Sequence, residues 1–499
     1  MCGIAAAIDI KDPSLFATLF GALSHRGPDE QGVFERGDLR MGIHRLAIVG
    51  RLGDALPLRG TGNRVLAFNG EIYNHQTLRR RFADYPYQTE SDGEVLFPLL
   101  EREGLAGLQR LRGMYAFILV DATSGDWLAV RDPFGIKPLY YARMDEGVAF
   151  ASELKSFASL PCQPQFLPPG HLLSRRGMAC WYRLPGRYQT PKPAPLRLLL
   201  EQAVASHVPE SGPCGVFLSG GLDSSVIAAL AARLRPDIVA YSVVLPGSPD
   251  EGPAAEVAAH LGIRHRVIHA TLETIRACLP AVIGAVESFN PVMVRNAVPL
   301  YLLAREARKE CKVVLGGDGA DELFAGYDYL ARLPRRCWPQ AMDYGFNNLH
   351  RTELQRVDRV TMAHGVELRV PYLDQAVAEA ALNLPLAAKV RRHEGKLVSK
   401  WALRTAASGL LPPSIQWRQK LPLVEGSGFS ALDLVDPGQE SSMSNPGWPL
   451  DDAVARAFFP LWRASFPKVA PDQDIWLDAG KYHQFKGDHG QPLLELFRR

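Results

Sequence analysis

Several signatures that would settle the chemistry at once are missing from this sequence. Its seven cysteines, at 2, 162, 180, 214, 278, 311 and 337, are odd in number and contain no CxxC pair. That leaves no disulfide framework and no thiolate metal site to build on, and it fits a reducing cytoplasm. The thirteen histidines include no HExxH. His265 and His269 are four apart, but they lie in the strand-like stretch IRHRVIHAT, where that spacing makes no helical zinc face. No segment approaches eighteen apolar residues, so no membrane span is expected. Net charge is only +3, which favours neither nucleic acid nor an anionic membrane as partner. The opening MCGIAAAIDI is apolar but has no basic lead-in and reaches Asp9 quickly, so it does not read as a signal peptide.

What remains is an ordinary globular composition, 47% apolar and 22% charged over 499 residues. That length is too great for one core, and two domains are the natural expectation. The proline-dense PGRYQTPKPAP marks a linker before the helix-like LRLLLEQAVASHV. The boundary falls near 190–195, giving domains of 1–190 and 195–499.

The stretch GVFLSGGLDSSV (215–226) organises the second domain. Val216, Phe217 and Leu218 read as a short buried strand, and Ser219, Gly220 and Gly221 as a turn. Asp223, Ser224 and Ser225 can cap the apolar helix that follows over Val226–Leu234. Strand, glycine turn and helix start aim unpaired backbone N–H groups at one spot, which suits phosphate. A Gly-Lys-Ser/Thr ending is absent, so this is not the common phosphate loop. SGGLDSS instead resembles the pyrophosphate loop of ATP pyrophosphatases, which implies cleavage of ATP between its α and β phosphates. Beyond it, Asp237–Leu245 and 263–269 read as strands, 253–262 and Val298–Lys309 as helices. Lys312–Leu315 is a further strand running into GGDGADE (316–322). Alternating strands and helices argue for a doubly wound parallel sheet with binding loops at the strand C-termini. Two glycine-and-carboxylate loops at neighbouring strand ends can hold Mg²⁺ with triphosphate, with Asp223 and Asp321 as the oxygen ligands.

The first domain carries a different chemistry. With Met1 removed, Cys2 would bear its own α-amine, whose pKa near ~7.7–8.0 lets it accept a thiol proton, so one residue supplies nucleophile and base. Apolar runs at Val65–Phe68, Tyr115–Val120 and Trp127–Val130 argue for a sheet-rich domain. Along the same region lie SHRGPDE, HRLAIV, FNGEIYN, ESDGEV, GMYAF, RDPFGIKPLYY and ELKS. Together with Cys2 this set resembles the class II glutamine amidotransferases, which implies an N-terminal-nucleophile αββα sandwich. The resemblance implies that Asn69 and the Gly70 N–H hold the oxyanion. It implies that Arg45 binds the glutamine carboxylate and that Asp92, helped by Glu71, binds the ammonium. Leu46, Ile48 and Val49 complete that glutamine site. His25 and Arg26 are expected to shape the loops around Cys2, and Asp29 to cap rather than catalyse.

With FLSGGLDSS, SVVLPGSPD, GGDGADELFAGY, RVDRVTMAHGVELRVPYLD, KLVSKWALR and SIQWRQKLPL, the second domain resembles that of glutamine-hydrolysing asparagine synthetases. The likeness implies that ATP and Mg²⁺ activate the β-carboxylate of aspartate as an AMP ester, and that ammonia from glutamine displaces AMP. It assigns pyrophosphate to Ser219, Ser225 and the loop amides, adenine to Leu218 and Val243 with Gly316 and Gly317 nearby, and charge neutralisation to Lys400 and Lys420. Asp318 stands where many relatives place a glutamate that assists ammonia attack, and Glu367 is a second candidate. Arg295 is the candidate for the acceptor carboxylate. Neutral ammonia would need a water-poor passage ending at GGDGADE. The family often dimerises. Two other readings stay open at this point: an amide synthetase for another acid, and an idle scaffold homologue. After about 435 the resemblance fades.

Overall fold

The computed structural model describes residues 2–145, 147–184, 195–421, 423–429 and 453–469. The expected linker 185–194 lies outside them. Two compact units emerge. The first takes the described residues up to 184 together with 362–367 and 464–469, and the second takes the rest. The return of 464–469 to the first unit, tied by Lys468 N donating to Ala158 O at 3.1 Å, goes beyond the simple division at 190–195.

In the first unit, Cys2–Ile8 is a central strand of a six-stranded sheet, flanked by Leu39–Arg45 and Val148–Ala151. A second six-stranded sheet contains Arg64–Ile72, Gly113–Asp121 and Trp127–Arg131, where the apolar alternation placed them. Strand side chains alternate between faces, so each sheet has an inner and an outer layer. Ile4, Ala6, Ile43, Ala67, Ile118 and Ala129 fill one core between the sheets. The outer face of the first sheet packs Ala5 and Ala149 on Phe16 and Leu19 of the helix Pro13–Gly21. The outer face of the second packs Phe68 and Phe117 on Leu96 and Leu99 of the helix Leu96–Glu103. Helix, sheet, sheet, helix is the expected αββα sandwich. The turn at Asp132 is built on a buried carboxylate that accepts from the N–H groups of Phe134, Ile136 and Lys137 at 2.9–3.0 Å.

The second unit holds a five-stranded sheet in the order Arg264–His269, Val239–Val244, Cys214–Phe217, Val313–Leu315, Glu367–Arg369. The pairings among its first four strands are parallel. The chain starts at Cys214–Phe217, steps outward twice, then returns to the other side of its first strand. A doubly wound sheet binds ligands where the winding reverses, here between Cys214–Phe217 and Val313–Leu315. SGGLDSS and GGDGADE follow those two strands. The helix after SGGLDSS spans Leu222–Leu234 with Gly221 as N-cap. Asp223, Ser224 and Ser225 therefore lie in its first turn rather than capping it. The helix expected at Val298–Lys309 runs Pro291–Ala307, capped by Asn290, whose Oδ1 accepts from Val292 N and Met293 N at 2.9 and 3.1 Å.

Candidate active sites

Cys2 heads its strand, buried at 7% exposure, and is held from two sides. Its N–H donates to Asn69 Oδ1 at 3.0 Å, and Arg26 Nε donates to its carbonyl at 3.0 Å. Asn69 is fully buried, and its Nδ2 has no hydrogen-bond partner among the described residues. A buried amide left unmatched costs free energy, and here it is an unspent donor on the residue that orients the nucleophile.

The backbone supplies the second donor. In antiparallel pairs, hydrogen-bonded and non-hydrogen-bonded partners alternate. Tyr73 N donates across to Arg112 O at 2.8 Å, so Ile72 and Gly70 turn their N–H groups away from the strand Gly113–Asp121. Ile72 N meets Asp92 Oδ2 at 2.7 Å. Gly70 N–H points along the same edge, and Gly70 lines the Cys2 pocket. Only glycine fits there: φ is +153°, and a Cβ would stand 2.1 Å from Met114 O.

That pocket brings together Cys2, Arg45, Leu46, Ile48, Val49, Gly70, Glu71 and Asp92, which gathers the expected glutamine site. Its volume is about 30 Å³, room for water rather than an amino acid. Arg45 is already engaged there: its Nη1 binds Glu30 Oε2 at 2.9 Å and Arg51 O at 2.7 Å, and its Nη2 binds Val49 O at 2.9 Å. The fork expected to clasp a carboxylate thus braces Glu30 and the 49–51 loop backbone. Asp29 accepts from Ala47 N at 2.8 Å, which makes it a loop brace rather than the helix cap expected. Burial pushes the Cys2 thiol up despite the nearby positive charges, including Arg45, so the thiol needs a base. Burial also raises Asp92.

The second site is a cavity of about 580 Å³ at the winding reversal. Leu218, Ser219, Gly221, Asp223, Ser224, Val243, Gly316, Gly317, Asp318, Asp321, Lys400, Lys420 and Arg295 all line it. Ser224 Oγ accepts from Ser219 N at 3.2 Å, and Gly221 N donates to Ser219 Oγ at 3.2 Å. Gly220 stands behind the loop at φ +70°, where a Cβ would come within 2.5 Å of Ala254 N. Ser225 Oγ is buried without a partner among the described residues. The two glycine loops touch: a Cβ on Gly317 would lie 2.9 Å from Ser224 N.

Four charges meet on the cavity wall. Lys400 Nζ contacts Asp223 Oδ2 and lies 2.6 Å from Asp321 Oδ1, while Lys420 Nζ lies 2.6 Å from Asp321 Oδ2. Burial disfavours the Asp321 carboxylate, but Lys400 and Lys420 outweigh it and hold the group well below the usual carboxylate range. Burial likewise opposes the Lys420 ammonium, and Asp321 and Asp223 more than compensate, raising it. Asp223 Oδ1 is buried without a partner among the described residues. Two converging carboxylates with an unspent oxygen fit Mg²⁺, which takes one or two carboxylates and completes its shell with phosphate and water.

Asp318, Arg295 and Arg356 also line the cavity. Asp318 Oδ1 is 3.8 Å from Arg356 Nη2; burial raises its pKa against the pull of Arg356. Arg295 Nε is buried and has no partner among the described residues. Glu367 is fully buried in its strand and is not among the residues lining this cavity. Of the two carboxylates expected at the ammonia step, Asp318 lines this cavity and Glu367 does not. Sequence reasoning missed Arg356, Glu353 and Tyr327, which also line the cavity. Tyr327 ends GGDGADELFAGY and stacks 5.7 Å from Lys420 Nζ; its place in that motif was the available signal.

Residues 1–169 match the glutamine amidotransferase domain family, and residues 195–345 and 338–433 match the asparagine synthase family. The glutamine-hydrolysing asparagine synthetase of Asparagus officinalis is 34% identical over 463 residues, spanning 87% of this chain and 78% of its own length. Asparagine synthetase 2 of Oryza sativa subsp. japonica is 34% identical over 510 residues, spanning 94% and 86%. The chain belongs to the glutamine-hydrolysing asparagine synthetases. Within that family its first unit is the glutaminase half and its second the synthetase half.

Proposed function

We propose that this synthetase amidates aspartate to asparagine with ATP and with ammonia drawn from glutamine. The observation that carries the reading is Asn69, which orients Cys2 through Oδ1 and keeps Nδ2 unspent beside it. In the glutaminase half, the Cys2 α-amine takes the thiol proton and the thiolate attacks the side-chain amide. Asn69 Nδ2 and Gly70 N–H receive the oxyanion. Collapse expels ammonia, and water releases glutamate from Cys2.

In the synthetase half, an oxygen of the acceptor carboxylate attacks the α-phosphorus of ATP, and the bond to pyrophosphate breaks. The Ser219–Ser225 loop grips the leaving pyrophosphate, and Lys400 and Lys420 supply positive charge beside it. Asp223 and Asp321 would hold Mg²⁺, which would supply neutralisation of the phosphate charge. Arg295 grips a carboxylate of the acceptor, and Asp318 takes a proton from ammonia as it attacks the acyl carbon and AMP departs. Ammonia must travel unprotonated, because ammonium has no lone pair to offer. Aspartate as the acceptor, a homodimer and a cytoplasmic location belong to this proposal; the unpaired cysteine set supports the last.

The test is mass spectrometry of products from ATP, glutamine and aspartate. AMP, pyrophosphate, glutamate and asparagine should appear together. ADP in place of AMP, or amidation of a different acid only, overturns it. Glutamine-derived nitrogen that equilibrates fully with labelled ammonium before product forms would refute protected transfer.

A further inference from the structure

The ELKS motif leaves one group that no catalytic step uses. Glu153 is fully buried and sits where the edge of the Cys2 strand ends. The strand Val148–Ala151 pairs with Ala5–Ile8, and Ser152 extends the pairing, its N donating to Ile4 O and its Oγ accepting from Ile4 N, both at 3.0 Å. The next residue therefore falls beside the start of the nucleophile strand. There Glu153 meets two cations and an imidazole: Oε1 contacts Arg26 Nη1, and Oε2 faces Lys155 Nζ at 2.6 Å and His25 Nε2 at 2.9 Å.

Arg26 is the link to the chemistry. It too is fully buried, and its Nε reaches the Cys2 carbonyl at 3.0 Å while Nη1 is held by Glu153. The turn Ser24–Arg26 that carries it is pressed against the strand by two glycines. A Cβ on Gly3 would lie 2.7 Å from Leu23 Cβ, and one on Gly27 would lie 2.2 Å from His44 C. Cys2 is thus clamped at its carbonyl by Arg26 and at its nitrogen by Asn69, and Arg26 in turn is anchored by the buried Glu153 carboxylate.

We propose that Glu153 is a positioning residue for the glutaminase reaction, fixing the Arg26 guanidinium that aligns Cys2 against its oxyanion donors. It touches neither glutamine nor the reacting atoms. The inference rests on the reading of Cys2 as the glutamine nucleophile. A misplacement of the order of 1 Å at a reacting atom can cost about 100-fold, and a clamp acting through geometry shows in kcat rather than in substrate binding.

The experiment uses the full chain and compares Glu153→Gln, Cys2→Ala and unaltered protein in glutamine hydrolysis, glutamine-dependent synthesis and ammonia-dependent synthesis. Glu153→Gln should lower kcat for glutamine hydrolysis by about 30- to 100-fold with KM for glutamine moved less than about threefold, and leave ammonia-dependent synthesis intact. Unchanged kcat, or a loss confined to KM, overturns the proposal. If Glu153→Gln fails to fold, Arg26→Lys decides: it keeps a cation for Glu153 but has no fork to span Glu153 and the Cys2 carbonyl. It should show the same kcat loss with ammonia-dependent synthesis retained, and normal glutaminase kcat in that variant overturns the proposal. Failure of the underlying reading looks different: Cys2→Ala would then hydrolyse glutamine as well as unaltered protein.

Discussion

The two sites solve opposite problems. Around Cys2 the pocket is about 30 Å³, and the nucleophile itself is fixed by directional hydrogen bonds to Asn69 and Arg26. Around Asp321 the cavity is about 580 Å³, and its order comes from two lysines and two carboxylates at contact distance. The first needs an atom held in line with two donors, so its Arg26–Glu153 ion pair stands behind the nucleophile and acts through Arg26. The second needs a polyanion neutralised, and charge acts over longer range and tolerates more play, so its ion pairs line the cavity directly.

Substitutions that touch only one half test that contrast. The largest effect belongs to Cys2→Ala: glutamine hydrolysis and glutamine-dependent synthesis should vanish while ammonia-dependent synthesis survives, read by comparing product formed with each nitrogen donor. Equal loss with both donors would break the division of labour. Lys420→Ala should slow pyrophosphate release by about 100- to 1,000-fold with either donor, as expected for loss of a charge that stabilises the leaving group. Asn69→Ala should reduce glutamine hydrolysis by a similar factor, about 2.7–4 kcal/mol of barrier, and leave ammonia-dependent synthesis alone. Asp318→Glu lengthens the side chain by one methylene and keeps its charge. It should change asparagine formation by less than about tenfold with pyrophosphate release unaltered, measured by the ratio of the two products.

A stability measurement sharpens the same comparison. Burial disfavours the Glu153 carboxylate, but Lys155, His25 and Arg26 outweigh it and hold it well below its ordinary value. A depressed carboxylate stabilises the folded state above its unfolded pKa, near ~4.3, and that stability is lost as the pH falls toward the folded value. Glu153→Gln should therefore cost about 3–5 kcal/mol at pH 7, and the gap should narrow below pH ~4. Denaturant titrations at the two pH values would show it, and a gap independent of pH would contradict the paired-charge account.

Much of the architecture was legible because it rests on local rules. Period-two alternation located Arg64–Ile72, Gly113–Asp121 and Trp127–Arg131, and the glycine turns marked the nucleotide loops. Residues whose role depends on side-chain competition were less legible. Arg45 was placed in the right pocket, but nothing in HRLAIV reveals that Glu30, Val49 and Arg51 occupy its fork. Glu367 was a candidate from GVELR alone, and that motif gives no sign that the residue is fully buried in a strand and absent from the cavity lining. The helix Pro291–Ala307 begins well before the expected Val298, at Asn290-Pro291, which is a strong helix start. The helix Ala453–Ser465 lies past the end of the family likeness, and there Phe459 and Trp462 pack on Phe289.

The strand order of the second unit has a consequence for how the molecule is made. Asp223 emerges from the ribosome long before Asp321, and Lys420 later still, so a growing chain carries half a nucleotide cradle with nothing opposite it. The complete cradle exists only once Val313–Leu315 has paired beside Cys214–Phe217 and the lysines have followed.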